Sequence, residues 1–292
     1  MKVAVIIPTY NEEKAIAKVV RGFRAAGFSD IYVIDGFSTD RTTDVAKASG
    51  ALVINRDRHG KGDAIRTALR KIEADVYVIS DGDGTYDPKE ARKLLDLLKD
   101  KKAHMAVGVR DRQNVGWFNS IGNAAFNMFL WFAYNKRFRD TQSGYRALTK
   151  SLAKSVVLAY DDFQVEAEMT VEALEKGFSI AEVPISYRKR IGKTKLNPLV
   201  DGWKIGLALV RFLRDYKPLK FFWSLSAASL AISLVFFYRV FTEFLDTGKV
   251  KLIGSALLSG VLFLLAIELL IAGLLADLLG QRLKKMAKHL DY

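Results

Sequence analysis

The sequence predicts an α/β domain with a mostly parallel sheet and flanking helices, followed by a C-terminal hairpin of two membrane-spanning helices. Three observations predict it. Short β-branched runs alternate with amphipathic stretches through the first 110 residues or so, and strand–helix alternation builds βαβ units around a parallel sheet. Polar clusters follow the ends of those runs directly. Two long uncharged runs, residues 221–238 and 252–267, stand near the C-terminus.

Taken in order, "KVAVIIP" reads as a buried strand and "EEKAIAKVVRGFRAAG" as a helix with apolar residues at helical spacing, ended by Gly27. "DIYVIDG" is a second strand, followed by a helix over about residues 39–49. "ALVINR" is a third strand and "GDAIRTALRKIEA" its helix. "DVYVISDGD" is a fourth strand, and "PKEARKLLDLLKD" a helix opened by Pro88. "HMAVGVR" is a fifth strand. Ligands of such sheets sit at the carboxyl ends of the strands. The polar ends "PTYNE", "DGFSTD" and "DGDG" therefore line one crevice.

The two uncharged runs reach the roughly 20 residues that a bilayer core of about 30 Å needs. The expected spans are residues 220–241 and 252–279. Arg211, Arg214, Lys217 and Lys220 precede the first, and Arg282, Lys284, Lys285 and Lys288 follow the second; the intervening loop has only Arg239, Lys249 and Lys251. This bias places both ends, and with them the α/β domain, on the cytoplasmic side of the cell membrane. Asp277 reads as interfacial, and Glu268 as facing a partner helix. Before the hairpin, "NPLVDGWKIGLALVRFLRDY" carries Trp203, Leu207, Val210 and Leu213 at helical spacing beside Lys204, Arg211 and Arg214, a pattern for a helix lying in the headgroup plane. The aromatic stretch 117–135 reads equally as a headgroup helix or a core helix. The domains are thus 1–196 (catalytic), 197–218 (amphipathic, juxtamembrane) and 219–292 (hairpin with basic tail).

Composition narrows the chemistry. Lys and Arg number 45 against 32 Asp and Glu, a net charge of +13 that predicts an anionic partner. The chain has no Cys, which excludes disulfides, zinc–thiolate sites and thiol nucleophiles. Its three His are scattered without metal-ligand spacing. The apolar run at the N-terminus is too short for a signal peptide. Neither a phosphate-binding Gly-x-x-x-x-Gly-Lys-Ser/Thr nor a Gly-x-Gly-x-x-Gly after the first strand occurs. "PTYNE" stands there instead, offering the Tyr10 ring and the Glu12 carboxylate to a base and ribose.

"VYVISDGDGTYDP" ends a buried strand on Asp81 and Asp83. Two close carboxylates repel unless a cation joins them, and hard divalent ions take oxygen ligands. The same residues also make a good turn, since Gly tolerates positive φ and Asp caps nearby backbone.

Seven motifs in order, "IIPTYNE", "DGFSTDRT", "HGKGDAIRTAL", "SDGDGTYDP", "GVR", "DTQSGYRAL" and "YRKRIGKTKL", cover about residues 1–218. With them the chain resembles family 2 glycosyltransferases of GT-A fold, most closely the polyprenol-phosphate (dolichol-phosphate) sugar synthases that act with hexoses or N-acetylglucosamine. The resemblance implies Asp81 and Asp83 as Mg²⁺ or Mn²⁺ ligands on the donor diphosphate. It implies Pro8, Tyr10, Glu12 and Asp35 at the nucleoside, and Lys61 in a base-side loop. Two departures separate the chain from the mannose synthase pattern: Thr85 stands where a further ligand Gln is found, and Asn119 and Asn123 stand where an Arg meets the acceptor phosphate.

A lipid monophosphate has a second pKa of about 6, so at neutral pH it is already an anionic nucleophile. The site must then hold two anions together, which calls for a metal and Arg and Lys clamps. Arg110, Arg188, Arg190 and Lys195 are the candidates, and "YRKRIGKTK" reads equally as a basic loop attracted to anionic lipid. Asp140 orients the acceptor or the sugar hydroxyls, or serves as a turn former. Gln164, Glu166 and Glu168 lie near expected acceptor-side carboxylates, or on a solvated helix face.

The expected function is an inverting transferase moving one sugar from a UDP- or GDP-linked hexose or N-acetylhexosamine to polyprenyl phosphate. Asp81, Asp83, Asp140 and Arg188 are its catalytic candidates. A processive polysaccharide synthase is the alternative, but Gln-x-x-Arg-Trp and a larger set of spans are missing. No nucleic-acid motif is visible, and the basic residues cluster near the membrane segments. A homo-oligomer is left open.

Overall fold

The computed structural model describes residues 1–56, 60–100, 102–111, 117–160, 165–191 and 198–290. It divides into two compact units, Met1–Gly206 and Leu207–Tyr292. The first carries strands β1 (Val3–Thr9), β2 (Asp30–Asp35), β3 (Leu52–Asn55), β4 (Val76–Ile79), β5 (Met105–Arg110), β6 (Arg146–Thr149) and β7 (Ile180–Ile185). Its helices are α1 (Glu13–Ala25), α2 (Thr42–Ala48), α3 (Lys61–Lys71), α4 (Ala91–Asp100), α5 (Trp117–Tyr134), α6 (Lys150–Ser155) and α7 (Val165–Glu175). Pro88–Glu90 forms a separate 3₁₀ turn before α4, capped by Asp87, so Pro88 opens that turn and not the helix.

The strands form one sheet in the order β3-β2-β1-β4-β6-β5-β7. Parallel registers align Thr9 with Asp35 and Asp35 with Asn55, and Ile6 with Ile79. The carboxyl ends of β1 to β4 therefore share one edge. β6 is antiparallel to both β4 and β5, pairing Ile79 with Arg146 and Val107 with Arg146. Its reversed direction brings the start of β6, and the turn 140–145 before it, to that same edge. Alternating strand residues feed two cores. Val5, Ile7, Val33 and Val78 pack with Phe23 and Leu94 on one face. Ala4, Ile6, Ile34 and Ile79 pack with Ile65, Leu69 and Met169 on the other. Such burial follows the two-residue period of a strand covered on both sides.

The aromatic helix α5 packs one face into the core, as one of its two sequence readings expects. Phe126, Phe129, Leu130 and Ala133 are buried, whereas Ile121, Met128, Trp131 and Phe132 are exposed. In helix α8 (Pro198–Tyr216), Ala208 and Phe212 are buried while the stripe Trp203, Leu207 and Val210 is exposed.

The second unit is a hairpin of α9 (Pro218–Thr247) and α10 (Ile253–Leu290). Both helices are long and apolar enough to cross a membrane. Their contact is polar. Ser226 Oγ donates to the Ala266 carbonyl (2.6 Å), Ser229 to Leu262 (2.8 Å), Ser233 to Ser259 (2.8 Å) and Ser259 to Ser233 (3.0 Å). Small residues let the helices approach, and hydroxyl–carbonyl bonds add stability where no water competes. Gly248, at φ 65°, closes α9. The Glu243 carboxylate accepts the Lys251 and Leu252 amides at the entry to α10 (3.1 and 2.9 Å).

Glu168 on α7 is buried and accepts the amides of Ala159 (2.7 Å) and Tyr160 (3.1 Å), fixing the strap before α7. Burial pushes its carboxyl up to about 7, against the lowering effect of those two amides. The folded chain therefore keeps a proton there that the unfolded chain has lost above about pH 4.3. Stability falls as pH rises from that value through 7. Glu168→Gln keeps an acceptor and loses the titration. The melting temperature of the parent, measured against Glu168→Gln, is expected to drop between pH 5 and pH 8; parallel curves would show that Glu168 does not titrate in this range.

Candidate active site

The crevice lies at the shared edge of β1 to β4. Asp35 ends β2 and accepts the Ser38 amide (2.9 Å) and hydroxyl (2.6 Å), which fixes its carboxylate. Tyr10 follows β1 and is exposed. Pro8 lies within β1, in register with Ile34. Glu12 precedes α1 and is nearly buried, with its amide donating to Thr42 Oγ1 (2.8 Å). Arg56, a buried cation that sequence reasoning passed over, donates to the carbonyls of Gly36 (3.3 Å) and Gly60, bridging the loop after β2 to the loop before α3. A Cβ on Gly36 would lie 1.8 Å from its guanidinium, so any other residue there would displace Arg56 from these carbonyls.

Asp81 and Asp83 follow β4 directly. Lys61, the first residue of α3, reaches Asp81 Oδ1 at 2.5 Å and Glu166 Oε1, on α7, at 2.6 Å. Burial alone would lower the Lys61 ammonium, but Asp81 and Glu166 hold it well above its usual value. Among the described residues Glu166 Oε2 is buried without a hydrogen-bond partner, as is Thr9 Oγ1. The expectation of a solvated Glu face on α7 is thus overturned: α7 is buried from Val165 to Ala173, Glu166 and Glu168 included.

Asp83 is 7% exposed, and its Oδ1 accepts the amide (3.1 Å) and hydroxyl (2.7 Å) of Thr85. Thr85 thereby orients Asp83. Burial, then the neighbouring Asp81, raise the Asp83 carboxyl above its ordinary value. Arg190 spans from Asp83 Oδ2 (3.3 Å) to the carboxylate of Glu12. The backbone after β7 is laced to the same loop: the Arg188 amide donates to Thr85 (2.8 Å) and the Ile191 amide to Asp83 (3.1 Å). The Arg188 side chain pairs with Asp87 and stays half exposed. Tyr86 stacks on Tyr145 (4.9 Å between centroids), leans on Tyr187 (5.5 Å) and accepts the Gly144 amide (2.9 Å).

These carboxylates fit a hard divalent cation. Both are oxygen donors two residues apart, and burial followed by the charge of Asp81 raises Asp83. A Cβ on Gly144 would come within 2.9 Å of Asp81 Oδ2, so the glycine keeps that side open. Among the described residues no group of three or more His, Cys, Asp or Glu is placed to hold a metal, so other ligands would come from substrate oxygens and water.

Arg110, at the end of β5, grips Asp140 with both arms (2.7 and 2.8 Å) and with its own amide (3.1 Å). Burial would lower its guanidinium, but Asp140 holds it above the ordinary value. Glu182 on β7 fixes the other side by accepting the Arg139 and Asp140 amides (2.8 and 3.0 Å). A cavity of about 560 Å³ opens beside the pair, lined by Asn123, Asn127 and Arg139 among others. The turn 141–146 is held by Arg146, fully buried, which donates to the Thr141 and Ser143 carbonyls (2.5 and 2.9 Å) and to Thr170 Oγ1 (2.9 Å). The structure thus gathers Glu12, Asp83 and Arg190 in one network, Lys61 and Asp81 in an adjoining one, and Arg110 with Asp140 in a third. Lys195, Gln164 and Arg112 lie outside the described residues, as does the side chain of Asn119.

Solved structures share this fold. Glucosyl-3-phosphoglycerate synthase from Mycobacterium tuberculosis, in complex with Mn²⁺, UDP-glucose and phosphoglyceric acid, superposes with a TM-score of 0.62 at 22% identity, covering 73% of this chain and 78% of that one. Among curated relatives, glycosyltransferase AglJ of Haloferax volcanii is 34% identical over 99% of this chain and 97% of its own length. A dolichyl-phosphate hexose transferase of the same organism is 33% identical over 71% of this chain and 92% of its own. The polyprenol monophosphomannose synthase of Mycolicibacterium smegmatis is 29% identical over 66% and 80%. The model of glycosyl transferase family 2 matches residues 4–158, the stretch that holds β1 to β6 and both carboxylates after β4, and the chain belongs to that family.

Proposed function

We propose that the chain is an inverting transferase that moves one sugar from a nucleotide donor, a UDP- or GDP-linked hexose or N-acetylhexosamine, to polyprenyl phosphate at the cytoplasmic membrane face. The reading rests on one juxtaposition: two carboxylates and a ring of buried or half-buried cations at a sheet edge, in a chain that ends in two apolar helices. The relatives named for dolichyl-phosphate and polyprenol substrates support the acceptor class. Pro8, Tyr10, Glu12 and Asp35 hold the nucleoside. Asp81 and Asp83 hold Mg²⁺ or Mn²⁺, which when bound supplies positive charge to the donor diphosphate. Lys61 pairs with Asp81 and holds it in place. Arg190 exchanges its carboxylate partners for the departing diphosphate. Arg110 aligns Asp140 beside the cavity where the acceptor phosphate enters, and Arg188 clamps the phosphates. No strong general base is required, because the lipid phosphate arrives as an anion.

Asp83→Asn keeps an acceptor for Thr85 and loses the charge. Transfer is expected to fall by at least about a hundred-fold, and metal-dependent binding of nucleoside diphosphate to vanish, with the melting temperature nearly unchanged. Near-normal turnover with Mg²⁺ or Mn²⁺ would return the pair to the role of a turn.

Arg188 offers a planar fork that Lys cannot reproduce. A lost charge-assisted contact costs about 1.5 to 3 kcal/mol, so Arg188→Lys is expected to slow turnover roughly ten- to a hundred-fold, while flotation with anionic liposomes stays unchanged. Normal turnover with lost flotation would make the loop a surface anchor only.

The topology is tested separately. Reporters inserted at Thr247 and fused after Tyr292 are expected on opposite sides of the membrane, the second in the cytoplasm. The same side for both would remove the hairpin.

A further inference from the structure

The loop after β2 holds a bulky residue in a conformation that bulky residues avoid. Phe37 has φ 62°, in the left-handed region. A Cβ crowds the backbone there, and a large side chain adopts it only where the surroundings impose it. They impose it from both sides. The Gly36 amide donates to the Thr9 carbonyl (2.9 Å), and the Gly36 carbonyl accepts Arg56 Nη2 (3.3 Å). Ser38 is fixed to the Asp35 carboxylate, and its Oγ accepts the Asn11 amide (2.9 Å). The Thr39 amide donates to Asn11 Oδ1 (2.8 Å). Core burial does not offset the strain, because Phe37 is 47% exposed. Strain kept under a water-facing ring points to a use for that ring.

Its place in the fold supplies one. The parallel register aligns Thr9 with Asp35, so Tyr10 and Phe37 stand just past one aligned pair, at the edge where the crevice opens. Tyr10 is exposed as well, at 41%. The bond from the Asn11 amide to Ser38 ties the two loops directly beside these rings. Both Asp35 oxygens already accept from Ser38, so a flat ligand at this edge is met more by ring faces than by new hydrogen bonds.

We propose that Phe37 is a binding residue for the donor, with the base of the nucleotide stacked on its ring beside Tyr10. The inference rests on the nucleotide-donor reading of the crevice. Every base has a π face, so an aromatic ring takes any of them. Stacking of this kind supplies affinity and leaves the choice between bases to other contacts. The left-handed backbone at Phe37 is then the means by which the loop presents a ring at the crevice while its neighbours stay bonded to β1 and Arg56.

Phe37→Gly and Phe37→Asn suit the test, because both residues accept left-handed backbone and neither carries a ring. Binding of UDP, GDP and inorganic diphosphate to the full-length protein in detergent, each with Mn²⁺, is measured by calorimetry. Both variants are expected to bind the nucleoside diphosphate that the parent prefers about five- to a hundred-fold more weakly, the range for one base on one aromatic ring. They are expected to bind inorganic diphosphate as the parent does and to melt close to the parent's temperature. Phe37→Trp keeps a ring and is expected to bind the nucleotide as tightly as the parent. Unchanged nucleotide affinity in the ring-free variants, a matching loss for inorganic diphosphate, a Phe37→Trp no better than Phe37→Gly, or a raised KM for polyprenyl phosphate alone overturns the stacking role. A parent that binds neither nucleotide overturns the donor reading and the stacking role with it.

Discussion

Like charge crowded at the end of β4 is the constraint on which the catalytic unit depends. Asp81 and Asp83 leave a buried strand at the edge where all parallel strands finish, and Asp83 is all but buried. Two carboxylates so close in the chain, one of them buried, repel unless cations stand beside them. The cations come from distant parts of the chain: Lys61 from the start of α3, and Arg190 from beyond β7. The antiparallel β6 serves the same end. It lets the turn before it pass Asp81 at Gly144, where any side chain would collide with Asp81 and Lys61. Arg146, buried among carbonyls, holds that turn in shape.

The two cations are not equivalent, and burial decides which one can move. The Lys61 side chain is 14% exposed and lies between two carboxylates, Asp81 and Glu166. Removing it would strand the buried Glu166 and the partly buried Asp81, which costs more than the pair stabilises. Arg190 is more exposed, at 30% against 14% for Lys61, and its segment meets the 83–85 loop through the backbone hydrogen bonds of Arg188 and Ile191. In the proposed reaction, Arg190 is then the member that can trade carboxylates for an incoming diphosphate, and Lys61 the fixed counter-ion. Charges already gathered and aimed need little reorganisation when the leaving group develops its own.

The alternation of β1 to β4 with their helices was legible in the sequence because period and turn residues agree, and the crevice follows from where "PTYNE", "DGFSTD" and "DGDG" fall. β6 was not. "RALT" is only four residues long, and its place between β4 and β5 depends on partners that local pattern does not name. For Glu166 the sequence left an acceptor-side carboxylate and a solvated helix face both open, since charged helix residues are mostly exposed. Its burial follows from α7 being covered almost all round, and the apolar run of Val165, Ala167, Met169, Val171 and Ala173 was the available signal. Thr85 looked like a weak metal ligand in place of Gln, and its hydroxyl instead orients Asp83. Arg56 carried no motif at all; the glycines it leans on were the trace it left.

The hairpin obeys the same helical geometry with the signs reversed. In α1 the residues turned inward are Ile16, Val19, Val20 and Phe23. In α9 they are Ser226, Ser229 and Ser233, while Leu, Val and Phe are turned outward. Apolar side chains gain nothing by leaving lipid for a helix interface, so close approach and hydroxyl–carbonyl bonds decide which face is inside. This inversion is itself an argument for the membrane reading, because in water the outward stripe would be a large apolar patch of the kind soluble monomers avoid.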